Sequence, residues 1–415
     1  KRQVVISTCA FIEDARKEAI DDILEAVRWK KQDHGRRIFV TGCMPLRYED
    51  ELRDEIPEVD GWYGFGKWKN ALETIVPGED INLNDPGITH PGQMNPGLEN
   101  RLSRSRTDHP EPFAYVRIAE GCDRRCAYCA IPSMRGPYHS RPEQSILLEI
   151  EHLLESGVRE IILVAQEINS YGYDLGTKRG IESLLYKAGE LVSRSSGRRW
   201  LRILYTHPPL YSESFIEALA ATPALVPYVD FPIEHADDSV LKAMGRGTTW
   251  NQMEHWISRL RESIPGITLR TSIIVGHPGE GSAEFDTLIE RLERVRFERL
   301  GIFRYSREEG TRSAMLAAST SGEAQQRFEL LTSLTETWAE EWYSGLVGME
   351  TSILVESSDG RRATGRTEWD APGIDGTATA AAALEAGIIY PGIVVSSVPW
   401  EIELAIVQQV ESRIG

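Results

Sequence analysis

Three of the chain's five cysteines, Cys122, Cys126 and Cys129, fall within eight residues, in the stretch GCDRRCAYCAIPSMRG (121–136). Spaced CxxxCxxC directly after an apolar stretch that reads as a strand, they let one tight loop aim three thiolates at one place. Thiolates favour zinc, Cu(I) or iron–sulfur clusters. Structural zinc takes four ligands, and no further cysteine stands at zinc-finger spacing. The nearest histidine, His139, lies ten residues beyond Cys129. Three cysteines on a 4Fe–4S cluster leave one iron open, and an open iron is reactive. A trio of buried structural thiols is the competing reading, and the spacing disfavours it. The other two cysteines, Cys9 and Cys43, each sit just past the C-terminal end of an expected strand, where open α/β sheets gather their ligands.

The elements that must carry these residues follow from apolar patterning. Residues 3–8 and 37–41 read as buried strands, with a helix over 12–31, another near 48–55, a short strand near 60–64 and a helix at 67–76. This is a small α/β sheet domain. Dense Pro, Gly and Asn from 77 onward read as a linker. From 113 the alternation resumes with six strands, at 114–118, 160–165, 201–206, 228–233, 269–275 and 299–304, separated by helical patterns. Six βα units suggest a complete or partial parallel barrel with its chemistry at the strand C-terminal ends. A charge-rich helix at about 321–343, read as a solvated face, leads to short β segments at 351–356, 362–368, 389–398 and 402–408, a small β-barrel module.

At 415 residues the chain is expected to hold two or three domains. No apolar run reaches the roughly 20 residues that span a bilayer, so no membrane association is expected. An odd number of cysteines in a chain this long does not make a disulfide framework, which points to the reducing cytoplasm. The balance of 46 Lys and Arg against 63 Asp and Glu, net −17, repels phosphate and favours a basic partner. The segment 341–415 has four arginines against eleven acids, and no lysine occurs after Lys242.

CxxxCxxC with an aromatic residue, Tyr128, just before its last cysteine resembles the radical S-adenosylmethionine superfamily. Further stretches are similar to one family within it, the methylthiotransferases: VVISTCAFIEDA (4–15), VTGCMP (40–45), YVDFPIEHADDSVLKAMGRGTT (228–249), IVGHPGE (274–280), FRYSREEGT (303–311) and GRTEWDAPGIDG (365–376). The resemblance covers nearly all of 3–410. It implies an α/β fold of three domains and a linker: an N-terminal α/β sheet domain over 1–76, a linker at 77–107, a partial (β/α) radical-SAM barrel over 108–338 and a small antiparallel β-barrel, the TRAM domain, over 341–410. It also implies two 4Fe–4S clusters and S-adenosylmethionine as cofactors. Cys122, Cys126 and Cys129 would hold the radical-generating cluster, with S-adenosylmethionine on the open iron. Cys9 and Cys43 match two of three ligands to an auxiliary cluster. The family's first ligand lies upstream in a Gly-Cys motif without a match here, which suggests that residues preceding Lys1 are missing.

Two branches of the family differ in substrate. IPSMRG (131–136), YSREEGT and GRTEWDAPGIDG lean to the branch that methylthiolates the β-carbon of an aspartate in ribosomal protein S-twelve. The alternative is the branch that modifies isopentenylated adenosine in tRNA. An acidic, lysine-free terminal module suits a basic protein better than a nucleic-acid backbone. A solvated face is the plainer reading of Arg361, Arg362 and Arg366. Gln166 and Glu167 follow a barrel strand and either reach S-adenosylmethionine or cap the next helix, while Gly276, Pro278 and Gly279 shape a turn near its adenine. His235 is as well read as a core histidine, and Arg246 as a salt-bridge residue. An electron donor such as flavodoxin or ferredoxin is required, and nothing points beyond a monomer. An iron–sulfur scaffold without turnover is the non-enzymatic alternative.

Overall fold

The computed structural model describes residues 2–64, 111–317 and 320–407. The helix expected at 67–76 and the linker lie outside the described residues. The chain divides into two compact units, the first comprising residues 2–64, 119–141 and 306–316 of the described chain.

In the first unit, β1 (Gln3–Thr8), β2 (Arg37–Gly42) and β3 (Gly61–Gly64) form a parallel sheet in that order. Helix α1 (Glu13–Lys31) connects β1 to β2, with Glu13 and Asp14 in its first turn and Arg28, Lys30 and Lys31 in its last, as the helix dipole favours. Ile23, Ala26 and Val27 of α1 pack on Ile38 and Val40 of β2 and on Trp62 of β3. Helix α2 (Cys43–Glu55) starts five residues earlier than the pattern suggested, because non-helical Tyr48 kinks it and hides the first turn from a periodicity reading. After β4 (Phe113–Arg117), a strand of the second unit, the chain returns to the first through the short antiparallel pair β5 (Ala119–Glu120) and β6 (His139–Ser140). The cysteine loop and helix α3 (Ile131–Arg135) lie between them.

Among the described residues, the second unit includes the five-stranded barrel described below, and its core holds six parallel strands in two three-stranded sheets. One runs β4, β7 (Glu160–Val164), β8 (Trp200–Ile203); the other β9 (Tyr228–Asp230), β10 (Thr268–Val275), β11 (Arg299–Arg304). An isolated parallel bridge between Leu201 and Leu225 joins the β8 edge to the segment entering β9. Helices α4 (Glu143–Glu155), α5 (Gly180–Arg194), α6 (Glu213–Ala221), α7 (Asp238–Ala243), α8 (Trp250–Ser263) and α9 (Ser282–Val295) fill the crossovers. Two strands stop three residues short of their expected ends. β9 ends at Asp230, just before Pro232, which has no N–H for the ladder. β8 ends at Ile203, before Tyr205 turns left-handed at φ 64°.

Helix α10 (Ser321–Ser344) leads into a closed five-stranded barrel, β12 (Glu350–Ser358), β13 (Ala363–Arg366), β14 (Thr377–Ala380), β16 (Glu401–Ile406) and β15 (Ile389–Val398) in spatial order. All neighbours are antiparallel except β14 and β16. An odd number of strands cannot alternate direction all the way round, so one parallel pair is unavoidable. α10 presents the solvated face expected of it along most of its length, and its other face buries Leu331, Trp338 and Tyr343. Tyr343 and Trp342 join the barrel core around Trp369, Val394 and Leu404. No helix of the described residues is long and apolar enough to cross a membrane.

Candidate iron–sulfur and S-adenosylmethionine site

Residues 121–130 contain no helix or strand, which frees the cysteine side chains to be set by the loop's closure. Its neck is closed tightly. Gly121 is left-handed at φ 79°, and a Cβ there would stand 2.1 Å from the Pro137 carbonyl oxygen, so only glycine fits. The Cys122 amide donates to the Gly136 carbonyl at 3.2 Å, and the Tyr138 amide to Asp123 at 3.0 Å. Inside the loop the Cys129 amide donates to the Cys126 carbonyl, and the Arg124 amide donates to the Cys122 sulfur at 3.4 Å. Cys122 is buried; Cys126, Tyr128 and Cys129 are half-buried.

These residues fit an iron–sulfur cluster. The donor set is thiol only, the soft set that such clusters select. Among the described residues no three His, Cys, Asp or Glu side chains converge on a point that would hold one metal ion. A cubane would differ from a single ion, because each cysteine would hold a different iron. His139 lies in β6, exposed, with its backbone paired to Glu120.

Cys9 and Cys43 leave neighbouring strands at one level, since the register pairs Thr8 with Gly42. Gly42 is at φ 102°, and a Cβ there would meet the Thr8 carbonyl oxygen at 2.3 Å. Cys9 is exposed and Cys43 buried. Ala10, Ala19, Cys43 and Met44 form one apolar cluster with Ala130 of the other cysteine loop and Met134 of α3. All five cysteines thus belong to one packed unit, which their separation in sequence did not announce.

The remaining expected site residues lie in the second unit. Gln166 is half-buried after β7, and buried Glu167 accepts from the Ser170 amide at 2.9 Å and from its hydroxyl. Gly276 is left-handed at φ 78°, with Ala324 of α10 2.6 Å from where a Cβ would stand. Its amide donates to both Glu280 carboxylate oxygens at 3.1 Å, and Pro278 and Gly279 complete that turn. Glu280 also pairs with Arg327 of α10 at 2.8 Å and with His235 at 3.3 Å. His235 is therefore a core residue with a carboxylate partner. Arg246 donates to the Pro232 carbonyl and stands 4.0 Å from Glu234. Desolvation pushes His277 down to about 4, so its imidazole is neutral near pH 7.

Several residues at these ends escaped the sequence reading. Tyr205 and Glu234, after β8 and β9, are non-glycine residues with positive φ, the kind of strain that collects at functional sites. Buried Glu308, within the quoted YSREEGT, pairs with Arg16 and Arg47 of the N-terminal sheet domain. Arg366, read as solvated, is 2% exposed and pairs with Glu160 at 2.6 Å.

A parallel partial barrel joined to a three-cysteine loop defines the radical S-adenosylmethionine class. Residues 116–292 match the Radical SAM superfamily model, and residues 2–64 match the uncharacterized protein family UPF0004. A solved structure of TsrM from Kitasatospora setae, a radical S-adenosylmethionine methyltransferase with cobalamin and a 4Fe–4S cluster bound, aligns at TM-score 0.51 and 16% identity. That alignment covers 73% of this chain and 64% of TsrM, and it speaks to the fold alone. Sequence relatives are much nearer. The ribosomal protein uS12 methylthiotransferase RimO of Desulforamulus reducens is 38% identical over 381 residues, 90% of this chain and 83% of the relative. RimO of Thermotoga maritima is 39% identical over 374 residues, 90% and 84% respectively. The chain belongs to the RimO family of radical S-adenosylmethionine methylthiotransferases, whose class uses an iron–sulfur cluster and S-adenosylmethionine.

Proposed function

We infer that this chain adds a methylthio group to the β-carbon of an aspartate in ribosomal protein uS12. The observation that carries the reading is its identity of 38–39% with RimO proteins across 90% of the chain. The reaction replaces a hydrogen on an unactivated carbon, which no side-chain base removes at neutral pH. When bound, the cluster and S-adenosylmethionine supply a carbon radical able to take that hydrogen atom. The chain's own tasks are binding, orientation and exclusion of water.

Cys122, Cys126 and Cys129 hold the radical-generating 4Fe–4S cluster. Cys9 and Cys43 would be ligands of a second cluster, which would supply the sulfur to be methylated. Two S-adenosylmethionines are consumed per product, one for the methyl group and one for the radical. Gln166 and the Gly276, Pro278, Gly279 turn contact S-adenosylmethionine, and Glu167 holds the turn after β7. The enzyme acts in the cytoplasm as a monomer, fed by a flavodoxin- or ferredoxin-like donor.

The test is deoxyadenosine release by anaerobically reconstituted protein offered either a uS12 loop peptide or isopentenylated tRNA. Stimulation by the peptide alone is expected; stimulation by the tRNA alone would move the chain to the tRNA branch. A variant lacking Cys122, Cys126 and Cys129 addresses the second cluster. It should keep about four irons per chain, one cluster's worth, and iron-free protein would remove the auxiliary cluster from the account.

A further inference from the structure

Insertion of sulfur at one carbon requires the radical source and the sulfur source to reach the same atom, so the separation of the two cysteine sites is itself a catalytic parameter. A chain of contacts links the two sites. Arg47 follows Cys43 by four residues and so lies on the same side of α2. Its guanidinium donates at 2.8 Å to the carbonyl of Ala10, the residue after Cys9, and at 3.1 Å to Glu308. Arg16 of α1 pairs with the same carboxylate oxygen of Glu308. The other oxygen accepts from Ser306 at 2.6 Å, and the Ser306 hydroxyl in turn accepts from the Glu13 amide at 3.3 Å.

Glu308 is 2% exposed, and its own carbonyl receives the Thr311 amide and hydroxyl, which fixes the turn that follows. That turn delivers two contacts to the radical-SAM cysteine loop. The Ser313 amide donates to the Ala127 carbonyl at 2.9 Å, and Arg312 donates to the Arg125 carbonyl. Arg125 and Ala127 flank Cys126. A continuous bonded path therefore runs from Cys9 and Cys43 through Arg47 and Glu308 to the backbone beside Cys126, all within the first unit.

We propose that Glu308 is a positioning residue that sets the spacing between the auxiliary-cluster and radical-cluster cysteines, so that radical formation is spent on product and not on abortive cleavage of S-adenosylmethionine. This rests on the roles assigned to the cysteines above. Loss of the carboxylate leaves Arg16 and Arg47 facing each other without their shared anion, and the path opens at its centre.

The experiment compares wild type, E308Q and E308D in two ways. Hydrogen exchange on cluster-free protein should show residues 9–11, 43–47, 125–129 and 306–313 loosening together in E308Q, by roughly tenfold or more, with the strands of the second unit unchanged. In reconstituted enzyme, E308Q should form deoxyadenosine at a rate within about twofold of wild type while methylthiolated product per deoxyadenosine falls roughly 10–100-fold, the effect of a displacement near 1 Å. E308D should recover part of both. A product ratio equal to that of wild type overturns the proposal even if exchange rises, because Glu308 would then be merely structural. Unchanged exchange overturns it as well. If E308Q does not accumulate folded, R47Q cuts the same path one bond earlier and is read by the same criteria. If wild type itself makes no methylthiolated product, the substrate reading fails, while the coupled exchange still decides whether the path exists.

Discussion

His277 ties the pH dependence of stability to a single buried side chain. It is buried with its ring edge-on to Tyr305, centroids 5.2 Å apart, and desolvation holds it at about 4 against an ordinary 6.5. A depressed histidine contributes stability that is complete above its unfolded value and lost as pH falls towards its folded value. Between pH 6.5 and 4, His277 should therefore withdraw up to roughly 3 kcal/mol of stability. Urea titrations across that window should give a shallower pH slope for H277N than for wild type; equal slopes would remove the effect. The cysteines were conspicuous in the sequence because thiolates are the donors that soft metals select. Glu308 was not, since one glutamate in an acidic chain carries no mark until its two arginines are seen.

At the scale of elements, GRTEWDAPGIDG turns out to be a clamp between the six-stranded core and the terminal barrel of the second unit. Glu160 of β7 receives Arg202 and Arg366 at 2.6 Å each, and Arg299 of β11 meets Asp370 at 2.7 Å. Tyr228 donates to Asp375 at 2.7 Å. Around these charges, Leu354, Ala371 and Ile389 pack on Trp200, Leu204 and Tyr228. Removing one partner of a buried pair costs about 3–5 kcal/mol, and Glu160 has two. E160Q should thus lower the unfolding free energy by at least that much in urea, and a loss below about 1 kcal/mol would show the charges to be idle. Most helices and strands followed from apolar spacing. What did not were irregularities with local causes: the kink at Tyr48, the left-handed Tyr205, and β14, whose TATA sequence has too little apolar bulk to register as a strand. The role of 365–376 was hidden because a charged stretch looks solvated until partners such as Glu160, Tyr228 and Arg299, more than 60 residues away in sequence, are placed around it.

Over the whole molecule, charge and chemistry point the same way. A net charge of −17 steers a basic protein towards the enzyme and tRNA away from it, and added salt screens that attraction. KM for uS12 should rise with ionic strength while kcat changes little, as steady-state assays at several salt concentrations would show; a salt-independent KM would take electrostatics out of recognition. The measurement that tests the central claim most directly is tandem mass spectrometry of uS12 after anaerobic turnover with S-adenosylmethionine, sulfide and reductant. One aspartate is expected to gain a methylthio group in place of a β-hydrogen, with no such gain in isopentenylated tRNA treated in parallel. The modification on tRNA with none on uS12 would contradict it.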